Sequence, residues 1–198
     1  MTRAMSAALA ATGIALAVAA ANLDTAEAAR MNETTTYLAE RLAAVAATGR
    51  LDGLTLEYWK GGGLPPPLYR SEQLRVMMAG GREVVEFANM FFDKNYKPDT
   101  LHEKWTVAAT PEELRALARA MLDVHVLDGD FAESVNPGVA DAFSYEIIVT
   151  ANGREDKRVF YKSLPSSLVN LGRLFDAMIA RAKAQSPRTV FHQGRQIQ

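Results

Sequence analysis

The densest gathering of groups able to do chemistry is DVHVLDGDFAES, where Asp123, His125, Asp128, Asp130 and Glu133 fall within eleven residues. Carboxylates around one imidazole can hold a hard cation or share a proton. A calcium loop needs ligands at positions 1, 3 and 5 ahead of a glycine at position 6, and that order is absent. The stretch therefore reads as a solvated acidic turn after a helix. His102-Glu103-Lys104-Trp105 begins like a zinc-protease helix, but position 106, where the second histidine must stand, is threonine. His192 falls in a polar tail and is expected to be exposed. No Ser, His and Asp grouping stands out, so no catalytic residue, metal site or cofactor is expected, and the chain reads as a non-enzyme.

The other unusual stretch is EYWKGGGLPPPLYR, in which Gly61-Gly62-Gly63 meets Pro65-Pro66-Pro67 across Leu64. A phosphate loop needs its glycines to run into a helix N-terminus, with a cation and a hydroxyl following. Three prolines supply no backbone donors, and each disfavours helix in the residue before it, which excludes that chemistry. The same residues suit a binding loop. Glycines let the chain turn out of a sheet, and the prolines hold Leu64–Leu68 extended, with little entropy left to lose on docking. Trp59, Leu64, Leu68 and Tyr69 supply the apolar and aromatic anchors that interfaces favour, so the expected partner-binding set is Trp59, Gly61, Gly62, Gly63, Leu64, Leu68 and Tyr69. A plain connection whose prolines guard an edge strand is the competing reading.

Composition bounds the partners. The chain has 198 residues, 48% hydrophobic and 23% charged, with net charge -1, so electrostatics points to no nucleic acid. There is no cysteine, which removes disulfides and thiolate chemistry together. At the N-terminus, Arg3 precedes an uncharged run from Ala4 to Leu23 and a small-residue site around Ala26-Glu27-Ala28. This pattern fits an export signal over 1–29, making the protein periplasmic or secreted. An uncleaved 1–29 would instead be an inner-membrane anchor, the only case in which a membrane is a partner.

The remaining residues must position the loop. Leu38, Leu42 and Val45 recur at helical spacing, giving a helix over about 35–48 within a helical linker, 30–50, that ends at Gly49. From Leu51 the period changes to two. Leu54, Leu56 and Tyr58 mark a strand, and Gly80-Gly81 joins two further strands in a hairpin. Another short strand follows in EKWTVAA. Thr110-Pro111-Glu112-Glu113 is a capping box opening a helix striped by Leu114, Leu117, Ala118, Met121 and Leu122. Phe143, Tyr145, Ile147 and Val149 alternate up to an Asn152-Gly153 turn, and Leu168, Leu171, Phe175, Met178 and Ile179 mark a last helix beginning at Ser163-Leu164-Pro165. The expected fold is α+β: an antiparallel sheet packed by two helices in a two-layer sandwich, with an extra N-terminal helix. The domain spans 51–185, and 186–198 is expected to be a flexible tail.

On LTLEYWK with its glycine loop, TPEELRALARAML, DAFSYEIIV and LPSSLVNLGRLFDAMI, residues 54–179 resemble the emfourins, small exported inhibitors of thermolysin-type metalloproteases, and related exported bacterial domains. The resemblance implies that the loop after the first strand enters a protease cleft, which would place the contact on Gly61, Gly62, Gly63 and Leu64. The triple proline, the extra length at 84–95 and the added helix depart from that pattern. Three functional readings result. The first is an exported protein-binding domain, a protease inhibitor acting through 61–68. The second is a membrane-anchored accessory subunit of a larger envelope complex. The third is an enzyme using the acidic stretch around His125.

Overall fold

In the computed structural model, which describes residues 28–61, 70–92, 98–129, 131, 143–192 and 195–196, residues 28–48 are helical (α1). The helix starts before the expected 35, because Ala28 to Glu33 are mostly good helix formers and only Thr34-Thr35-Thr36 weaken the pattern. By its contacts the chain divides into two compact units, the second being Leu38–Gln198. Within that unit, Leu38, Leu42, Val45 and Ala46 are buried on one face of α1. Gly49 ends the helix at φ +73, its N–H donating to the Val45 carbonyl at 2.8 Å. A Cβ there would lie 2.7 Å from the Pro111 carbonyl oxygen, so the end of α1 rests against the start of α2 (Pro111–Asp123). The expected capping box is present: Thr110 and Glu113 each bind the other's backbone N–H through their side chains.

The strands are β1 (Leu54–Gly61), β2 (Arg70–Ala79), β3 (Arg82–Phe92), β4 (Pro98–Ala108), β5 (Ser144–Ala151), β6 (Arg154–Tyr161), β7 (Thr189–His192) and β8 (Arg195–Gln196). They form one sheet in the order β6-β5-β1-β2-β3-β4-β7-β8, with every neighbouring pair antiparallel. Both expected hairpins form. Gly80 and Gly81 take φ +58 and +78, and Asn152 and Gly153 take +50 and +75, the left-handed values a tight hairpin turn requires. The strands of the β3–β4 pair exceed the sequence expectation, and an irregularity between Met90 and Phe92 shifts their register.

The connections dictate the layers. α2 carries the chain from β4 to β5, past β1, β2 and β3, while α3 (Val169–Gln185), entered through a 3-10 turn at Ser166–Leu168, carries it from the β6 edge to β7, beside the far edge strand β8. Long crossings of this kind must lie over a face. Tyr58 stacks on Phe175 of α3 at 4.5 Å, and the Lys183 ammonium of α3 lies over the Phe87 and Trp105 rings at 4.5 and 5.5 Å, which identifies the face. On it, Val149, Leu56, Val76 and Val85 form one cross-strand row, and Ile147, Tyr58, Leu74 and Phe87 form the next, all buried. Leu114, Leu117 and Met121 of α2 and Leu171, Phe175 and Met178 of α3 complete the core. Burial, followed by the Asp176 charge, pushes the Tyr58 hydroxyl above its ordinary pKa.

The segment after Gln185 departs from the expected free tail. Thr189–His192 pairs with β4 from Lys104 to Leu101, Val190 is buried, and Arg188 bonds Glu103 at 2.9 Å. Four strand-forming residues amid polar neighbours carry little local signal, and the edge of β4 supplies the missing partner. Phe143, expected inside β5, precedes it and is exposed.

Candidate functional site

Trp59 and Gly61 occupy the outer end of β1. Because side chains alternate along a strand, Trp59 points away from the helices while Tyr58 points toward them. Its indole Nε1 donates to Glu57 Oε2 at 3.1 Å, and Gln73 Nε2 donates to the same oxygen at 2.9 Å. Arg75, directly opposite Glu57, pairs with its other oxygen at 3.3 Å. Trp59 is thereby tied to a fixed carboxylate. Gly61, the last residue of β1, is buried and paired on both sides, with Ser71 of β2 and Ser144 of β5. The other expected partner-binding residues, Gly62, Gly63, Leu64, Leu68 and Tyr69, lie outside the described residues, as do residues 1–27 of the leader expected over 1–29, whose last two residues belong to α1.

The sheet face opposite α3 carries a ladder of ion pairs. Lys157 reaches Glu146 at 2.6 Å, Arg75 reaches Glu57, and Lys104 reaches Glu86 at 3.0 Å. Between the first two pairs lies a depression of about 400 Å³. Ser144, Gly61 and Ser71, consecutive in one cross-strand row, leave its floor without bulk. Trp59 and Glu146, opposite each other in the next row, and Ile148, Glu57 and Lys157 beyond them, build its walls. Such a recess offers an aromatic plate, an aliphatic patch, hydroxyls and charged groups within one small space.

The acidic stretch separates into parts. Asp123 ends α2, and His125, at φ +53, places Nδ1 3.3 Å from Asp128 Oδ1 with both side chains largely exposed. Asp130 and Glu133 lie outside the described residues. Among the described residues no three metal-ligating side chains converge. His102 belongs to β4, not to a helix of the zinc-protease kind, and its ring stacks on Phe191 of β7 at 4.9 Å. Burial foremost, and then the Lys104 charge, lower its pKa. His192, expected in a free tail, is part of β7. On the helical face Asp156 pairs with Arg158 at 2.8 Å, and burial raises its pKa against that cation. Arg158 also donates to the Leu127 carbonyl, tying β6 to the turn after α2.

Sequence reasoning singled out Trp59 and Gly61 but missed Glu57, Ser71, Ser144, Glu146, Ile148 and Lys157. Alternation in EYWKG and SYEII already assigns those outward positions of β1 and β5 to one face. What no local pattern carries is that β5, far along the chain, pairs with β1 in the register that sets Ser144 beside Gly61. Compared with known proteins, the chain matches no family model and no curated protein sequence.

Proposed function

We propose that the chain is an exported, non-catalytic protein-binding domain that captures its partner, a protease of the thermolysin type, through the segment 61–68. The observation that carries this reading is the root of that segment. Gly61 is paired in register with a strand on each side, Ser71 of β2 and Ser144 of β5, and β2 begins directly at Arg70, so a glycine- and proline-rich stretch departs from an interior strand pair rather than from a loose sheet edge. A segment with a fixed base and three prolines loses little freedom on docking, so contacts made by Leu64 and Leu68 translate into affinity. The likeness of residues 54–179 to the emfourins supports the choice of protease, and the leader over 1–29 supports an exported setting.

The test is inhibition of a thermolysin-type metalloprotease by the chain and by Leu64→Asp. A charge at the anchor position is expected to abolish inhibition while leaving the melting temperature of the domain unchanged. Inhibition of equal strength by the variant, or none by the parent chain, defeats the reading.

A further inference from the structure

We propose that the depression between β5, β1 and β2, on the sheet face opposite α3, is a binding site for a neutral sugar, a pyranose ring seated against Trp59. This inference rests on described strands alone and stands whether or not the segment 61–68 captures a protease.

The first argument is charge. Each carboxylate in the recess is already engaged by a cation, Glu57 by Arg75 at 3.3 Å and Glu146 by Lys157 at 2.6 Å. An ionic ligand would have to displace one of these partners. A ligand rich in hydroxyls need not, because a carboxylate has about four lone-pair directions and an ammonium three donors, leaving capacity for further bonds after each pair is made. Sugars both donate and accept, which matches a recess holding carboxylates, an ammonium and the serine hydroxyls of Ser71 and Ser144.

The second argument is shape. A volume of about 400 Å³ lies within the range of small-molecule sites, about 300–1,000 Å³. The Ser144-Gly61-Ser71 row lowers the floor next to the tryptophan, so a flat ring can lie beside the indole instead of above a level sheet. The third is preorganisation. The indole is pinned by its own hydrogen bond to Glu57, which Gln73 also holds, so Trp59 has less freedom to lose when a ligand arrives. Aromatic rings present an extended apolar surface with a negative face, suited to the C–H side of a pyranose, while the polar groups address its hydroxyls.

The experiment titrates the full chain with glucose, N-acetylglucosamine and their β-1,4-linked trimers, read by calorimetry and by tryptophan emission. The chain has two tryptophans, and the other, Trp105, is buried on the helical face, so Trp105→Phe isolates the Trp59 signal. Saturable binding of at least one sugar is expected, weakened about tenfold or more in Trp59→Ala and largely retained in Trp59→Phe, which keeps an aromatic plate. Ser144→Tyr, filling the floor from a half-buried position, is expected to abolish it with the melting temperature unchanged, and this variant decides the matter should Trp59→Ala fail to fold. No saturable binding by any of these sugars, or binding indifferent to Ser144→Tyr, overturns the proposal. Binding of argininamide or inorganic phosphate in place of sugars overturns it as well, by assigning the recess to an ion.

Discussion

Two glycines four residues apart allow backbone strain and steric overlap to be separated. Gly49 and Gly53 both have left-handed φ values, +73 and +86. A Cβ on Gly53 meets nothing within 4 Å, whereas one on Gly49 falls 2.7 Å from the Pro111 carbonyl oxygen and 2.9 Å from its Cα. Gly53→Ala should therefore lose only the conformational term, about 1–2 kcal/mol for a residue with a Cβ in this region. Gly49→Ala bears the same term and must also push the end of α1 off the start of α2. The obstructing atoms are backbone and cannot rotate aside, and forcing extra bulk into packed structure costs about 1–3 kcal/mol more. The expected totals are about 2–5 kcal/mol for Gly49→Ala against about 1–2 for Gly53→Ala. Urea unfolding of both variants, with m unchanged from the parent, reads the difference directly. Junction bonds should loosen in the first variant only, notably Arg115 donating to the Thr48 carbonyl at 3.1 Å. Equal losses in the two variants would refute the packing of Gly49 against Pro111.

Thr110→Ala removes one half of the capping box and should destabilise by about 1 kcal/mol in thermal or urea unfolding. Glu113→Ala should exceed it, because Glu113 Oε2 receives both the Thr110 N–H at 3.0 Å and Arg181 of α3 at 2.8 Å; the double variant should fall short of the sum, as shared partners predict. Phe175→Ala removes the ring stacked on Tyr58 in the centre of the core and should lose about 3–5 kcal/mol, seen as a lowered urea midpoint. His102 gives a signed pH dependence. Its folded pKa lies below the ordinary value, so as pH falls the unfolded chain takes up the proton first, and stability present above about 6.5 declines below it until the folded-state pKa is passed. Urea midpoints measured from pH 7 downward should show this decline flattened in His102→Gln, and parallel curves would remove His102 as its source.

The parts legible in the sequence were those whose cause is local. The capping box at Thr110, the turns at Gly80-Gly81 and Asn152-Gly153, and the stripes of α2 and α3 each follow from residues within a few positions; the box and turns stand as expected, and the stripes do so except that Leu122 and Ile179 are only half-buried and α3 begins at Val169, after a 3-10 turn, rather than at Ser163-Leu164-Pro165. The α+β sandwich followed because amphipathic helices and alternating strands need one another to bury their apolar faces. Pairings between distant strands were not legible. β7 shows this most plainly: Thr189, Val190 and Phe191 form a strand because β4 extends far enough to receive them, and β4 in turn reaches back to Pro98 past residues with no clean alternation. The recess beside Trp59 depends on the same kind of information. Its floor is assembled from Gly61, Ser71 and Ser144, unremarkable one at a time and small together only because two registers coincide on β1. A one-residue slip of β5 against β1 would turn Ser144, Glu146 and Ile148 to the helical face and bury a carboxylate there. The buried Ile147 and Val149, opposite Tyr58 and Leu56, therefore fix the recess as firmly as the residues that line it.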